Sequence, residues 1–168
     1  MDLKEKIKSG KSICGTLVNL PSVCVTEMLG YFDFDYLWID LEHSAINIET
    51  CYNMLVAAKS VRRHAIVRVP QNDLTYTKKV LEMGPDGIIF PMVQNAKEAE
   101  ELLSYTLYPP YGTRGCGPQR AVRYGFDSEY EYLRMALQIY VDFCRLSAKP
   151  LLMNLNKLLI IHISMGLF

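Results

Sequence analysis

The chain has 168 residues, half of them hydrophobic, which is enough to bury one ordinary core, and its 18 basic side chains are matched by 18 acidic ones. A chain without net charge has no long-range field to attract nucleic acid or an anionic membrane, so the composition favours small-molecule chemistry. Five cysteines, Cys14, Cys24, Cys51, Cys116 and Cys144, are odd in number, scattered and never spaced Cys-x-x-Cys, which argues against a disulfide framework and a zinc knuckle and for reduced thiols.

In chain order, the N-terminal residues 1–8 read as a charged helix without the apolar run of a signal peptide. No stretch of the chain reaches the ~18 apolar residues of a membrane span, and the expected location is cytoplasmic. Short apolar runs rich in β-branched and aromatic residues then alternate with segments of helical period, the pattern of βα units on a parallel sheet. The first strand is expected near Ser12 to Val18, and a helix from about Ser22 to Tyr31 follows with Ser22 as its N-cap. The second strand, Tyr36 to Leu41, is nearly continuous apolar, as a strand covered on both faces should be. A helix from Ile48 to Lys59 puts Cys51, Leu55 and Ala58 on one stripe, with Asn47 in the cap position. The third strand, Ala65 to Val69, is stopped by Pro70, and the helix from Leu74 to Met83 ends at Gly84 and Pro85. The fourth strand, Gly87 to Val93, leads into a helix from Ala96 to Ser104. Beyond it, Tyr108-Pro-Pro-Tyr-Gly-Thr-Arg-Gly-Cys-Gly-Pro118 is a built loop, followed by a short helix from Ser128 to Met135. The fold class is therefore α/β, with four βα units that amount to half of a (βα)8 TIM barrel, a fold of about 250 residues.

In parallel α/β folds functional groups sit where strands end. Strand two ends Asp40-Leu-Glu42-His43, strand three Arg68-Val-Pro70 and strand four Pro91-Met-Val-Gln94. A carboxylate and an imidazole at one strand end can form a proton-transfer dyad, or the histidine can simply cap a loop. Arg68 closes an apolar strand, so its guanidinium must meet either an anionic ligand or a structural partner such as Glu42. The glycines from Gly112 to Gly117 lack the Lys-Ser/Thr ending of a P-loop and follow a helix, which rules out that phosphate cradle. Arg114, Arg120 and Arg123 either meet an acidic substrate or anchor the loop and an interface.

Taken together, Asp40-Leu-Glu-His43, Ile66-Val-Arg-Val-Pro70, Gly87-Ile-Ile-Phe-Pro-Met-Val93, Asn95-Ala-Lys-Glu-Ala99 and Tyr108-Pro-Pro-Tyr-Gly-Thr-Arg-Gly115 resemble the HpcH/HpaI family of pyruvate-dependent class II aldolases. The resemblance spans about Gly15 to Ala136. It implies a (βα)8 barrel that reversibly cleaves 4-hydroxy-2-oxo acids to pyruvate and an aldehyde. It also implies that Asp40 and His43 act as a base dyad, that Arg68 holds the pyruvate enolate oxygen and that Pro91 lies against the substrate. A divalent metal (Mg, Mn or Co) and a homo-oligomer come with it. The partner expected is a small oxo acid or pyruvate, with no nucleic acid and no membrane. The chemistry agrees independently: carbon–carbon cleavage next to a ketone needs a base and an electron sink, either a lysine Schiff base or a Lewis-acid metal. Lys59, Lys78, Lys79 and Lys97 all fall on predicted helices, which favours the metal. A citrate-lyase β-like lyase is the alternative of similar fold, against which the Glu42-His43 pair and the Tyr-Pro-Pro loop speak.

The family pattern then stops. A Gln-Ile-Glu ligand strand and a Gly-Pro-x-Asp-Leu turn are both absent after Tyr132-Leu-Arg-Met-Ala136, so no metal ligand is assigned and the chain is expected to hold an ion poorly. Residues 1–136 therefore read as the N-terminal barrel half and 137–168 as an out-of-frame or divergent tail. Codons for Cys144 to Asn154, shifted by two bases, can decode to a strand beginning Gln-Ile-Glu-Cys-Lys-Ala-Ile. Those for Ile161 to Gly166 can decode in that frame to Pro-Tyr-Ile-Asp-Gly. The bland alternative for the tail is a divergent amphipathic helix on the open edge of the sheet, and the corresponding functional alternative is a catalytically inactive, truncated chain.

Overall fold

The computed structural model describes residues 9–134 and 159–162, together with Leu3 and Lys6. Four βα units appear in order: β1 (Gly15–Val18), α1 (Val23–Gly30), β2 (Tyr36–Asp40), α2 (Ile48–Ser60), β3 (His64–Arg68), α3 (Leu74–Glu82), β4 (Gly87–Phe90) and α4 (Ala96–Ser104). A 3₁₀ segment, Arg120–Gly125, and a strand β5, Leu159–His162, follow. The sheet order is β1-β2-β3-β4-β5. β1 to β4 are parallel and in sequence order, the geometry of an opened α/β barrel.

Each of α1 to α4 begins on a side-chain cap that satisfies a backbone N–H the helix itself leaves over. Ser22 accepts from the Val25 N–H at 3.3 Å and Asn47 from Thr50 at 2.8 Å, as the sequence indicates. Asp73 and Asn95 do the same for Tyr76 and Glu98, at 2.7 and 3.0 Å.

Alternation along the strands sorts the two faces of the sheet. Leu37, Ile39, Ala65, Val67, Ile88 and Phe90 pack with Met54, Leu55, Ala58, Val80, Leu81 and Leu102 of the helices in one buried core. Trp38, Asp40, Ile66 and Arg68 point to the opposite face, which a closed barrel would turn inward. The strands are shorter than the apolar runs that encode them. At β1 the Asp35 carboxylate takes the Cys14 N–H at 2.9 Å, so a side chain replaces a rung of the ladder. At β4 Pro91 has no N–H to give and Met92 adopts φ 54°, which ends the strand at Phe90.

At the open edge, where the alternative reading of the tail put a helix, residues 159–162 form the strand β5. It pairs antiparallel to β4, Gly87 with His162 through Phe90 with Leu159. A Leu-Ile-Ile-His run with two β-branched residues, beside an edge of unmet N–H and C=O groups, forms a ladder more readily than a helix. The boundary drawn at 136/137 and most of the tail lie outside the described residues.

The loop after α4 is built as its prolines and glycines require. Thr113 and Arg114 donate backbone N–H groups to the Ser104 and Leu107 carbonyls at 2.9 and 3.0 Å, and a Cβ on Gly112 would collide with those same two carbonyls. Arg114 is only 2 % exposed; its guanidinium lies 4.6 Å over the Tyr108 ring and donates to the Tyr132 hydroxyl at 3.0 Å. Arg120 donates to the Met83 carbonyl and Arg123 pairs with Asp127. All three arginines hold the loop and its 3₁₀ segment in place.

Candidate active site

Register puts Asp40 opposite Arg68 at the C-terminal ends of β2 and β3. The Arg68 Nε and Nη2 meet the two Asp40 oxygens at 2.9 and 2.6 Å, a side-on fork, and Nη1 lies 2.9 Å from Glu42 Oε2. Asp40 is 1 % exposed. Its Oδ1 also accepts the backbone N–H of Glu42 at 2.9 Å and of His43 at 3.4 Å, which winds the chain tightly after β2. Burial alone would raise the Asp40 pKa; the Arg68 hydrogen bonds and these two N–H groups outweigh it and hold the carboxyl below its ordinary value. The same bonds to Asp40 raise Arg68 above its own ordinary value despite its burial.

The structure thus brings Asp40, Glu42 and Arg68 into one cluster. His43 stands at its rim: the side chain is 72 % exposed and Nε2 lies 3.5 Å from Glu42 Oε2, while Asp40 reaches the His43 backbone N–H and not the imidazole. Pro91 ends the neighbouring β4 at the same face. Its carbonyl accepts from Asn72 Nδ2 at 2.7 Å, and Glu98 at the start of α4 accepts the Gln94 N–H at 2.7 Å, so two polar side chains fix the β4–α4 connection.

The sequence reading missed Trp38, Asn72 and Glu98 as parts of this region. Trp38 lies beneath the cluster, with the Arg68 guanidinium carbon 5.2 Å from its ring centroid. Period two along β2 puts Trp38 on the Asp40 face, a signal that was present; the partners of Asn72 and Glu98 come from separate units and leave none.

At the opposite end of the sheet a second ionic cluster surrounds buried Asp86, which accepts from Lys59 Nζ at 2.6 Å and the Ala65 N–H at 2.8 Å and lies 3.1 Å from His64 Nδ1. It ties the N-terminal ends of the adjacent strands β3 and β4 to the end of α2, a structural role at the end of the sheet opposite Asp40 and Arg68.

Among the described residues no group of three or more His, Cys, Asp or Glu side chains could hold a metal ion. Asp40 and Glu42 are the carboxylates nearest the site, and both are already engaged by Arg68. These donors do not make a divalent-cation site by themselves. No described helix is long and apolar enough to cross a membrane.

The described units thus form a barrel half with an Asp-x-Glu-His turn at one strand end and a paired arginine at the next. The model of the HpcH/HpaI aldolase/citrate lyase family matches residues 15–164, and this chain belongs to that family. It is 35 % identical over 114 residues to a hydroxypyruvate/pyruvate aldolase of Roseobacter denitrificans, covering 68 % of this chain and 44 % of that protein. It is 31 % identical over 156 residues to a 4-hydroxy-2-oxo-heptane-1,7-dioate aldolase of Salmonella typhimurium, covering 93 % and 59 %. The crystal structure of an HpcH/HpaI aldolase from Desulfitobacterium hafniense superposes with a TM-score of 0.72 at 29 % identity, covering 81 % of this chain and 53 % of that one. The chain therefore spans about half the length of the relatives it matches.

Proposed function

We propose that this chain supplies the pyruvate-handling half of a metal-assisted aldolase, a carbon–carbon lyase that reversibly cleaves 4-hydroxy-2-oxo acids to pyruvate and an aldehyde. The observation that carries the reading is the Arg68 guanidinium, fixed by Asp40 and Glu42 at the C-terminal face with His43 exposed beside it. Nη1 and Nη2 each retain a second N–H beyond these contacts, a pair of donors suited to the carboxylate or enolate oxygens of an oxo acid. The exposed His43 imidazole exchanges protons with the substrate hydroxyl, while Asp40 orders the turn that carries it and Pro91 walls the site.

Two carboxylates against one guanidinium leave the cluster with excess negative charge, which an anionic oxo acid would meet unfavourably without a further cation. That charge supports a divalent ion as the electron sink of the reaction, although its ligands are not completed by the described residues. Mg, Mn and Co are the ions to test. Self-association is proposed on the family resemblance.

The test is pyruvate release from a 4-hydroxy-2-oxo acid, coupled to lactate dehydrogenase, with each ion in turn, for the 168-residue chain and for a version continued in the shifted frame after Ala136. The continued chain should release pyruvate. In it His43→Ala should lower kcat more than it raises KM, and Arg68→Ala should damage both. Turnover that survives Arg68→Ala would refute the site. A second reading, a catalytically inactive truncated chain, is favoured by the incomplete donor set; metal-dependent release by the 168-residue chain would exclude it.

A further inference from the structure

Asp40 and Glu42 hold the Arg68 guanidinium by its in-plane edges and leave its faces to other contacts. The third contact is the indole of Trp38, two residues before Asp40 on the same face of β2 and under the guanidinium at 5.2 Å. We propose that Trp38 is a positioning residue for Arg68, holding the guanidinium plane so that its remaining N–H groups face the oxo-acid site. This inference rests on the proposed role of Arg68.

Two observations point to the π face as the reason for a tryptophan here. The Trp38 Nε1–H is buried and has no acceptor among the described residues, an arrangement that a leucine or phenylalanine would avoid. What the indole offers in return is the best aromatic face for a guanidinium, beneath a cation whose in-plane edges are already taken by Asp40 and Glu42. The neighbours of Trp38 in register, Leu17 of β1 and Ile66 of β3, are both aliphatic, so no other ring in that layer of the described sheet can substitute for it.

Trp38 is the one tryptophan of the chain, so its fluorescence reads the contact directly. In Arg68→Ala the emission maximum should move and quenching by acrylamide should rise by about twofold as the ring loses its cover. Spectra and quenching that superimpose on the wild type would overturn the proposal. Oxalate, a planar dianion resembling pyruvate enolate, is then titrated by calorimetry in excess Mg, which supplies the further cation. Trp38→Phe should bind it within about threefold of the wild type and Trp38→Leu about tenfold more weakly, because only the former keeps an aromatic face. Equal affinity in Trp38→Leu and the wild type also overturns it. Circular dichroism checks each fold, with Trp38→Met as the non-aromatic substitute should the leucine variant not fold. A shifted Arg68→Ala emission together with no oxalate binding by any chain would sustain the stacking and defeat only the oxo-acid role of Arg68.

Discussion

At the scale of single residues, the Arg68–Asp40 fork links stability to the site. Removing the guanidinium leaves an almost wholly buried carboxylate without its cation, and Arg68→Ala should cost about 2–3 kcal/mol in chemical denaturation. A loss below about 0.5 kcal/mol would show that Asp40 is well solvated. Asp86 gives a pH test at the other end of the sheet. Burial raises its pKa, but the His64 and Lys59 contacts and the Ala65 N–H outweigh burial and depress it below the ordinary 3.8. A carboxylate with a depressed folded pKa contributes stability that is complete above its unfolded value and fades as pH falls through the folded one. The melting temperature of the wild type should thus fall more steeply below pH 3.8 than that of Asp86→Asn, and parallel curves would contradict the assignment. The convergence of Asp40, His43 and Arg68 at neighbouring strand ends was legible because consecutive βα units carry the ends of β2 and β3 to one face, and the contact of Arg68 with Glu42 was the structural partner the sequence offered. The orientation of His43 was not legible, because spacing of three residues after Asp40 fits either a side-chain or a backbone contact, and the turn settles on the backbone.

At the scale of elements, helices were read better than strands, and for a physical reason. A helix announces its start through a local cap, as Ser22 and Asn47 do, and Asp73 and Asn95 carry the same signal. A strand ends where its partner stops pairing, which no local pattern states; hence β1 begins at Gly15, not Ser12, and β4 ends before Pro91. β5 is the extreme case, since its pairing with β4 joins residues some seventy positions apart. Deleting residues 159–168 should uncover the β4 edge and increase self-association, seen as a larger scattering mass at equal concentration. An unchanged monomer fraction would show that β4 needs no cover.

At the scale of the whole molecule, the half-barrel order β1-β2-β3-β4 follows from four repeats of one sequence pattern, each strand parallel to the last. The tail has no such pattern, and its reading as out-of-frame or divergent sequence remains a proposal that the coding DNA across residues 130–168 decides. With so few carboxylate donors free at the site, calorimetric titration with Mg or Mn should show only weak, nonstoichiometric binding to the 168-residue chain. A stoichiometric site of micromolar affinity would reveal ligands outside the described residues. The most direct test of the site as a whole is calorimetric titration with pyruvate in excess Mg, which supplies the further cation, comparing the wild type with Arg68→Ala and with Asp86→Asn as a control remote from the site. Saturable binding by the wild type and the control, lost in Arg68→Ala, is the expected result; binding undiminished in Arg68→Ala would contradict a pyruvate site at the ends of β2 and β3.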